Sequence, residues 1–156
     1  MNAPDPGKPE DVRFEEMSEE HLDAVLAIEG EAYPEPWTRG MFQDEIRNPL
    51  SYIYVARRGE DVAGYCGFWL VLDEAHIITV AVKKDHRGTG LGRRFMEFLL
   101  SKAREVGARY ATLEVRASNT RARRLYEDFG FHEVAMRPQY YPITKEDAVV
   151  MLKELV

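Results

Sequence analysis

The stretch Arg87-Gly88-Thr89-Gly90-Leu91-Gly92 joins a predicted strand rich in Ile and Val to a predicted amphipathic helix. Glycines let the main-chain N–H groups at the start of a helix approach an anion closely, and that end of the helix carries a partial positive charge. Arg87 adds a cation that can grip a phosphate oxygen. The stretch therefore predicts a cradle for a pyrophosphate.

The spacing of the glycines separates this loop from two common phosphate sites. It is not G-x-G-x-x-G, and it follows an apparent antiparallel meander, which argues against a Rossmann dinucleotide site. No Gly-Lys-Ser/Thr sequence is present, which excludes a P-loop. The motif by itself leaves one alternative open, a tight strand-to-helix turn that binds nothing.

The segments on either side of the loop alternate in a pattern that predicts a mixed sheet with helices. The predicted strands are Val12–Met17, Tyr52–Ala56, Val62–Leu72, His76–Val82, Ala111–Val115, His132–Met136 and Ala148–Leu152. The predicted helices, with their caps, are Ser18–Ala32, Thr38–Arg47, Leu91–Val106 and Asn119–Phe129. The order is β-α-α-β-β-β-α-β-α-β-β, an α/β (α+β) domain in which the second half makes a parallel crossover.

Length and composition limit the function classes. The 156 residues suit one domain, and we expect residues 1–11 to be a flexible tail and 12–156 to be the domain. A net charge of −6 argues against nucleic-acid binding. One cysteine, Cys66, allows no disulfide framework and fits a reducing cytoplasm. The longest apolar stretch, Tyr65–Leu72, is too short to cross a membrane, and the tail does not look like a signal peptide.

Several motifs together resemble a known family. Arg87-x-x-Gly90-x-Gly92 matches the coenzyme A pyrophosphate motif, [RQ]-x-x-G-x-[GA], of the GNAT-type N-acetyltransferase superfamily. Five further segments are similar to its RimI-like branch, the ribosomal-protein alanine N-acetyltransferases: Thr112–Asn119, Leu125–Phe131, Tyr140-Tyr141-Pro142 with Glu146-Asp147-Ala148, Pro36-Trp37 and Asp73-Glu74-Ala75. The likeness runs from Val12 to about Leu152. The chain departs from the branch at Thr79, where Asn is frequent, and in the tail before Val12.

The resemblance implies a single-domain GNAT fold with about seven strands, four helices and a splay between the fourth and fifth strands. It also implies transfer of the acetyl group of acetyl-CoA, without a metal, to the N-terminal amine of a protein. The expected acceptor is the N-terminal alanine of a small-subunit ribosomal protein, and the expected state is a monomer or weak dimer. Two alternatives stay open: acetylation of another peptide or a small-molecule amine, and a non-catalytic acyl-CoA sensor.

Two residues are candidates for catalysis. Glu114 lies in an apolar strand, where alternation turns it away from its buried neighbours, and the family's catalytic Glu falls at this position. We expect it to take the amine's proton through a water, the more readily if burial raises its pKa. Tyr126, at the position of the family's catalytic Tyr, is expected to protonate the departing thiolate. The simpler alternatives are a solvent-facing strand Glu and an ordinary half-buried Tyr.

The resemblance assigns the remaining contacts by position. The main chain of Val80, Ala81 and Val82 would bind the pantetheine arm, and one of those amides could polarise the thioester carbonyl. The other expected cofactor contacts are Arg87, Gly88, Thr89, Gly90, Leu91, Gly92, Arg93 and Asn119. The expected acceptor contacts, in two loops, are Tyr33, Glu35, Trp37, Tyr140 and Tyr141.

The four histidines show no metal-ligand spacing. His76 could relay a proton, although a packed strand histidine is the simpler interpretation.

Overall fold

Seven strands form one mixed sheet in the computed structural model, which describes residues 11–155. The strands are β1 (Val12–Glu16), β2 (Ser51–Arg58), β3 (Asp61–Val71), β4 (Glu74–Val82), β5 (Tyr110–Arg116), β6 (His132–Arg137) and β7 (Ala148–Glu154). The helices are α1 (Leu22–Ala32), α2 (Arg39–Arg47), α3 (Leu91–Glu105) and α4 (Thr120–Asp128). The predicted fold class and element order are confirmed. The predicted tail lies outside the described residues except for Asp11.

The sheet order is β1-β2-β3-β4-β5-β7-β6, and β4 with β5 is its parallel pair, joined by the crossover helix α3. The other neighbours are antiparallel. The strand β7 lies between β5 and β6, so the last two strands close the sheet as the predicted hairpin.

Most element boundaries differ from the prediction by one or two residues, and two of the differences have a local cause. The first helix is preceded by a 3-10 turn, Glu19–His21, because the ring of His21 accepts a hydrogen bond from the main-chain N–H of Ser18 at 2.9 Å. The fourth strand begins at Glu74 rather than His76, because the turn before it is made at Leu72 and Asp73. Leu72 takes a left-handed φ of 57°, which a hydrophobicity pattern does not reveal.

The two faces of the sheet bury separate cores. One face packs against α3 and the other against α1 and α2, so alternate residues of β2 point in opposite directions. Tyr54 and Ala56 join the α3 side, whereas Ile53 and Val55 join the α1 side.

The parallel pairing of β4 with β5 is short, and the two strands separate beyond it. β4 and β5 are paired only from Glu74 with Tyr110 to His76 with Thr112. A register shift then leaves Ile78 as an extra residue in β4, opposite β3. Beyond this bulge the remainder of β4 stays paired with β3, and β5 stays paired with β7. The predicted splay between β4 and β5 is therefore present, and it creates a cleft in the middle of the sheet.

Gly64 is expected to be essential for the close packing beside this cleft. A Cβ at Gly64 would lie 2.3 Å from the carbonyl oxygen of Ala81 and 2.8 Å from Cζ of Phe95. Because one contact is backbone and the other is a buried ring, we expect Gly64→Ala to lower the free energy of unfolding by about 3 kcal/mol. Urea unfolding measures this directly.

Gly30→Ala provides the matched control, since a Cβ on this helical glycine would meet no atom within 4 Å. That variant should be as stable as the wild type or slightly more stable, because alanine is the better helix former. If both variants unfolded at the same urea concentration, the close approach of β3, β4 and α3 would be wrong.

Candidate active site

The cleft between the separated ends of β4 and β5 has a volume of about 950 Å³. Its lining comes from the ends of both strands, the glycine-rich loop, the start of α3, α4 and the loop between α1 and α2. The sheet thus brings together segments that are far apart in sequence.

The glycine-rich loop lies at one end of the cleft with its main chain uncovered. Gly88 and Gly90 adopt left-handed φ angles of 76° and 85°, which L side chains rarely adopt. Gly90 is the N-cap of α3, and no side chain within residues 11–155 caps the first turn of that helix. The N–H groups there are available to an anion.

Side chains of the loop divide between the cleft and the protein interior. Arg87 donates from Nε to the carbonyl of Val82 at 3.2 Å and lines the cleft. Arg93 also lines it and pairs with Asp128 at 3.1 Å. The exception is Thr89, whose hydroxyl donates to the carbonyl of His86 at 2.6 Å and which does not line the cleft.

The remaining expected cofactor contacts border the same cleft. Val80, Ala81 and Val82 lie on the part of β4 that has left β5, although the carbonyl of Val80 accepts a hydrogen bond from the Tyr33 hydroxyl at 3.2 Å. Asn119 lines the cleft and also caps α4 by accepting from the N–H of Ala122 at 3.1 Å. Both interpretations of Asn119 are therefore compatible with its position.

Glu114 and His76 form an ion pair where the two strands begin to separate. Nε2 of His76 lies 2.6 Å from Oε2 of Glu114, and the two side chains are 27% and 13% exposed. The hydrogen bond raises the pKa of His76 and lowers the pKa of Glu114. The condition that burial raises the pKa of Glu114 is therefore not met, because the hydrogen bond with His76 outweighs the desolvation.

Tyr126 lines the cleft from α4. Burial raises the pKa of its hydroxyl above the ordinary value, and no hydrogen bond contributes to the shift. In the free protein it is therefore a weaker acid than an exposed tyrosine. Its hydroxyl can donate a hydrogen bond to a thiolate, but full proton transfer is more uphill than the sequence suggested.

The ion pair predicts a pH dependence. At low pH the imidazolium of His76 is paired with the carboxylate of Glu114. As pH rises through the raised pKa of His76, the imidazolium loses its proton, and the Glu114–His76 pair can then accept the proton of the substrate amine. We expect kcat to rise through a step above the ordinary pKa of imidazole, about 6.5. In His76→Gln, where the pair no longer titrates near neutrality, this step should be missing and kcat near pH 7 should fall about 10-fold.

Both proteins are assayed with the same peptide from about pH 6 to pH 9, so the titration of the substrate amine cancels in the ratio of their kcat values. An identical rising limb in the wild type and the variant would show that His76 does not set the protonation of the base.

The predicted acceptor residues lie in two loops that the structure ties together. The carboxylate of Glu35 accepts from the N–H groups of Ile143 and Thr144 at 2.8 and 3.3 Å and lies 3.8 Å from Arg116. A substrate amine would have to compete with these groups for Glu35. This linkage closes the rim of the cleft between the α1–α2 loop and the β6–β7 loop.

The aromatic side chains of these loops differ in position. Tyr33, Trp37 and Tyr141 line the cleft. Tyr140 does not line it; its side chain lies edge-on to Tyr141, and the residue is 42% exposed. Tyr140 is thus the one predicted acceptor residue that the fold does not bring to the cleft.

Two charged cleft residues, Glu29 and Arg116, are among those that sequence reasoning missed. Glu29 is buried on α1, accepts from the N–H of Trp37 at 3.1 Å and from the Tyr65 hydroxyl, and has its pKa raised by burial. Its signal was a carboxylate at an apolar position of the helix. Arg116 lies 3.7 Å from the centre of the Tyr141 ring and 3.6 Å from Glu146. Arg116 lies two residues after Glu114 in β5, and nothing in the sequence indicated that it would contact Tyr141 and Glu146.

No cluster of three or more potential metal ligands occurs among residues 11–155. Across the same range, no helix is both long and apolar enough to span a membrane.

The cleft joins an uncovered glycine-rich helix start to a carboxylate and a tyrosine, an arrangement that suits transfer of a group from a donor that carries phosphates. The chain belongs to the acetyltransferase (GNAT) family, whose sequence model matches residues 22–131. Membership makes it an N-acetyltransferase that uses acetyl-CoA.

Curated relatives are similar over nearly their whole length. A Bacillus subtilis (strain 168) protein, provisionally named ribosomal protein bS18-alanine N-acetyltransferase, is 38% identical over 136 residues, covering 86% of this chain and 90% of that protein. The ribosomal protein bS18-alanine N-acetyltransferase of Escherichia coli (strain K12) is 36% identical over 132 residues, covering 83% and 88%. The crystal structure of the Escherichia coli ribosomal-protein-S18-alanine N-acetyltransferase matches with a TM-score of 0.85 at 32% identity, covering 92% and 94%. The resemblance to the RimI-like branch is confirmed.

Proposed function

We propose that this chain transfers the acetyl group of acetyl-CoA to the N-terminal α-amine of a protein, specifically the N-terminal alanine of a small-subunit ribosomal protein. The observation that carries the proposal is Glu114, which lines the same cleft as the glycine-rich loop and is held by His76 where β4 leaves β5. The names of the similar proteins support the choice of acceptor.

The cofactor is proposed to lie along the separated part of β4. Its diphosphate would bind the N–H groups at the start of α3 and the guanidinium of Arg87. Its pantetheine arm would run beside Val80, Ala81 and Val82, as an added strand does. The Tyr33 hydroxyl, now bonded to the carbonyl of Val80, would have to release that carbonyl if the arm needs it.

The chemical step is proposed as direct attack. The α-amine has an ordinary pKa of about 7.7 to 8.0, so a useful fraction is already neutral near pH 7. Its nitrogen attacks the thioester carbonyl while its proton passes through a water to Glu114. The tetrahedral intermediate then expels the thiolate of CoA, which accepts a hydrogen bond or a proton from Tyr126. The C–S bond breaks as the amide C–N bond forms. CoA leaves as the thiol after taking one proton, from Tyr126 or from solvent, and the proton taken up by Glu114 returns to solvent or to Tyr126.

The acceptor end of the cleft suits the end of a peptide. Tyr33, Trp37 and Tyr141 supply apolar walls that can surround a small first side chain. Glu29, Glu35 and Glu146 also line the cleft, as does Arg116, which lies 3.8 Å from Glu35 and 3.6 Å from Glu146. This acidic rim favours a positively charged amine over a neutral or anionic acceptor.

The test compares four acceptors with acetyl-CoA: a peptide with the sequence of a small-subunit ribosomal protein N-terminus beginning with Ala, the same peptide beginning with Glu, the same peptide with a formylated α-amine, and spermine. Thiol release and the peptide's gain in mass are both followed. We expect acetylation of the Ala peptide and none of the formylated one.

Faster turnover of spermine, or acetylation of the formylated peptide on a lysine, would contradict the N-terminal assignment. Binding of CoA without turnover of any acceptor would favour the sensor alternative.

A further inference from the structure

Arg58, the last residue of β2, is a buried cation behind the glycine-rich loop. The residue is only 4% exposed. Nη1 donates to the hydroxyl of Thr89 at 2.9 Å and lies 3.2 Å from Nδ1 of His86. Nε and Nη2 are also buried, and neither has a hydrogen-bond partner in the part of the chain that the structure describes.

No carboxylate among residues 11–155 lies within 4.0 Å of this guanidinium. His86 links the guanidinium to a carboxylate, since its Nε2 lies 2.7 Å from Oδ2 of Asp61. Because an arginine can only donate, Nδ1 of His86 must accept, which places the ring proton on Nε2 and directs it to Asp61. Asp61 is itself half-exposed and also binds Lys83 at 2.9 Å. Among residues 11–155 the charge of Arg58 is thus compensated only indirectly.

Burying a charge without a direct counterion is costly unless something offsets it. We expect an anion on the cleft side of the loop to offset the cost of burying Arg58. Thr89 stands between Gly88 and Gly90, and its hydroxyl joins Arg58 to the carbonyl of His86. The guanidinium therefore contacts the loop at the residue between two glycines that line the cleft.

We propose that Arg58 is a positioning residue for the cofactor: it fixes the glycine-rich loop through Thr89, and its positive charge favours the phosphates of CoA from behind the loop. This inference rests on the proposed binding of CoA at the loop. Arg58 touches no reacting atom, so it should affect cofactor affinity and leave the chemical step unchanged.

The experiment is calorimetric titration of CoA into the wild type, Arg58→Met and Arg58→Lys at low and at physiological salt. At an effective dielectric constant near 20, one charge about 10 Å from a phosphate changes binding by roughly 10-fold. We expect the Kd of CoA to rise about 10-fold in Arg58→Met, with a shallower salt dependence, and less than about 3-fold in Arg58→Lys. The kcat at saturating acetyl-CoA should stay within about 2-fold of the wild type.

Asp61→Asn supplies a control of opposite sign in the same network. It removes a negative charge near the loop and should leave CoA affinity equal or tighter, whereas a purely structural network would weaken it. The melting temperature without CoA gives a second readout. Arg58→Met should leave this melting temperature unchanged or raise it, because the variant lacks a buried cation whose charge is compensated only indirectly.

The inference is overturned if Arg58→Met binds CoA as the wild type does, if Arg58→Lys loses as much affinity as Arg58→Met, or if Asp61→Asn weakens binding equally. A wild type that binds no CoA would instead refute the proposed function, and this inference with it. A wild type that binds CoA but acetylates no peptide would refute the proposed acceptor alone.

Discussion

Replacement of Glu114 with glutamine is expected to lower the kcat of acetylation by about 10²- to 10⁴-fold. Glutamine keeps the size of the side chain and can still bond to His76, but it cannot accept a proton. The ordinary pKa of the attacking amine leaves part of it neutral, so some turnover should persist and should increase steeply with pH. The rate is measured by thiol release at saturating acetyl-CoA and peptide.

The Kd of CoA in Glu114→Gln should stay within about 3-fold of the wild type, because the carboxylate lies beside the split and not at the phosphate loop. Glu133→Gln, which removes a half-exposed carboxylate on β6 that pairs with Arg123, is the control and should keep full activity. Equal losses of turnover and of CoA affinity would mean that Glu114 only supports the structure.

Substitution of Gly88 by valine is expected to raise the Kd of CoA by about 10- to 100-fold. Gly88 has a φ of 76°, so a β-branched side chain must either strain the backbone or change the direction of the N–H groups around it. A Cβ there would meet no protein atom within 4 Å, so the substitution is not blocked by the fold itself. The main effect of Gly88→Val should therefore be weaker binding of CoA.

Gly107→Val is the matched control for this variant. Gly107 lies after the other end of α3, has a φ of 97°, and likewise leaves a Cβ without neighbours within 4 Å. Both variants should lose a similar amount of stability, about 1–2 kcal/mol in thermal unfolding, since both place a β-branched residue in a left-handed backbone conformation. Only Gly88→Val should lose CoA affinity, and a loss of affinity in both would assign the effect to strain rather than to the phosphate site.

Local patterns were sufficient for the order of the elements. Alternation predicted the strands, a 3.6-residue period predicted α3, and Gly107 marked its end; each of these depends on contacts between near neighbours. The glycines of the 87–92 stretch likewise announced a local conformation, and the left-handed φ angles of Gly88 and Gly90 agree with it. The turn at Leu72 was not predicted, because a leucine in the left-handed conformation has no sequence signature.

The pairing of charged groups was beyond the sequence. Nothing along the chain connects His76 with Glu114, which are 38 positions apart and meet only because β4 and β5 lie side by side. The pKa of Glu114 is consequently lowered rather than raised. Arg58 is separated from Thr89 by 31 positions, and its burial behind the loop follows from the packing of β2 and the loop that precedes α3.

The sequence by itself determined the fold class, the family and the place of the glycine-rich loop, because these depend on short-range periodicity and on the backbone freedom of glycine. Only the tertiary structure decided which side chains meet in the cleft, which of them are already occupied, and in which direction their pKa values move. Electrostatic interactions depend on distance and burial in three dimensions, and both are set by how the strands pack rather than by spacing along the chain.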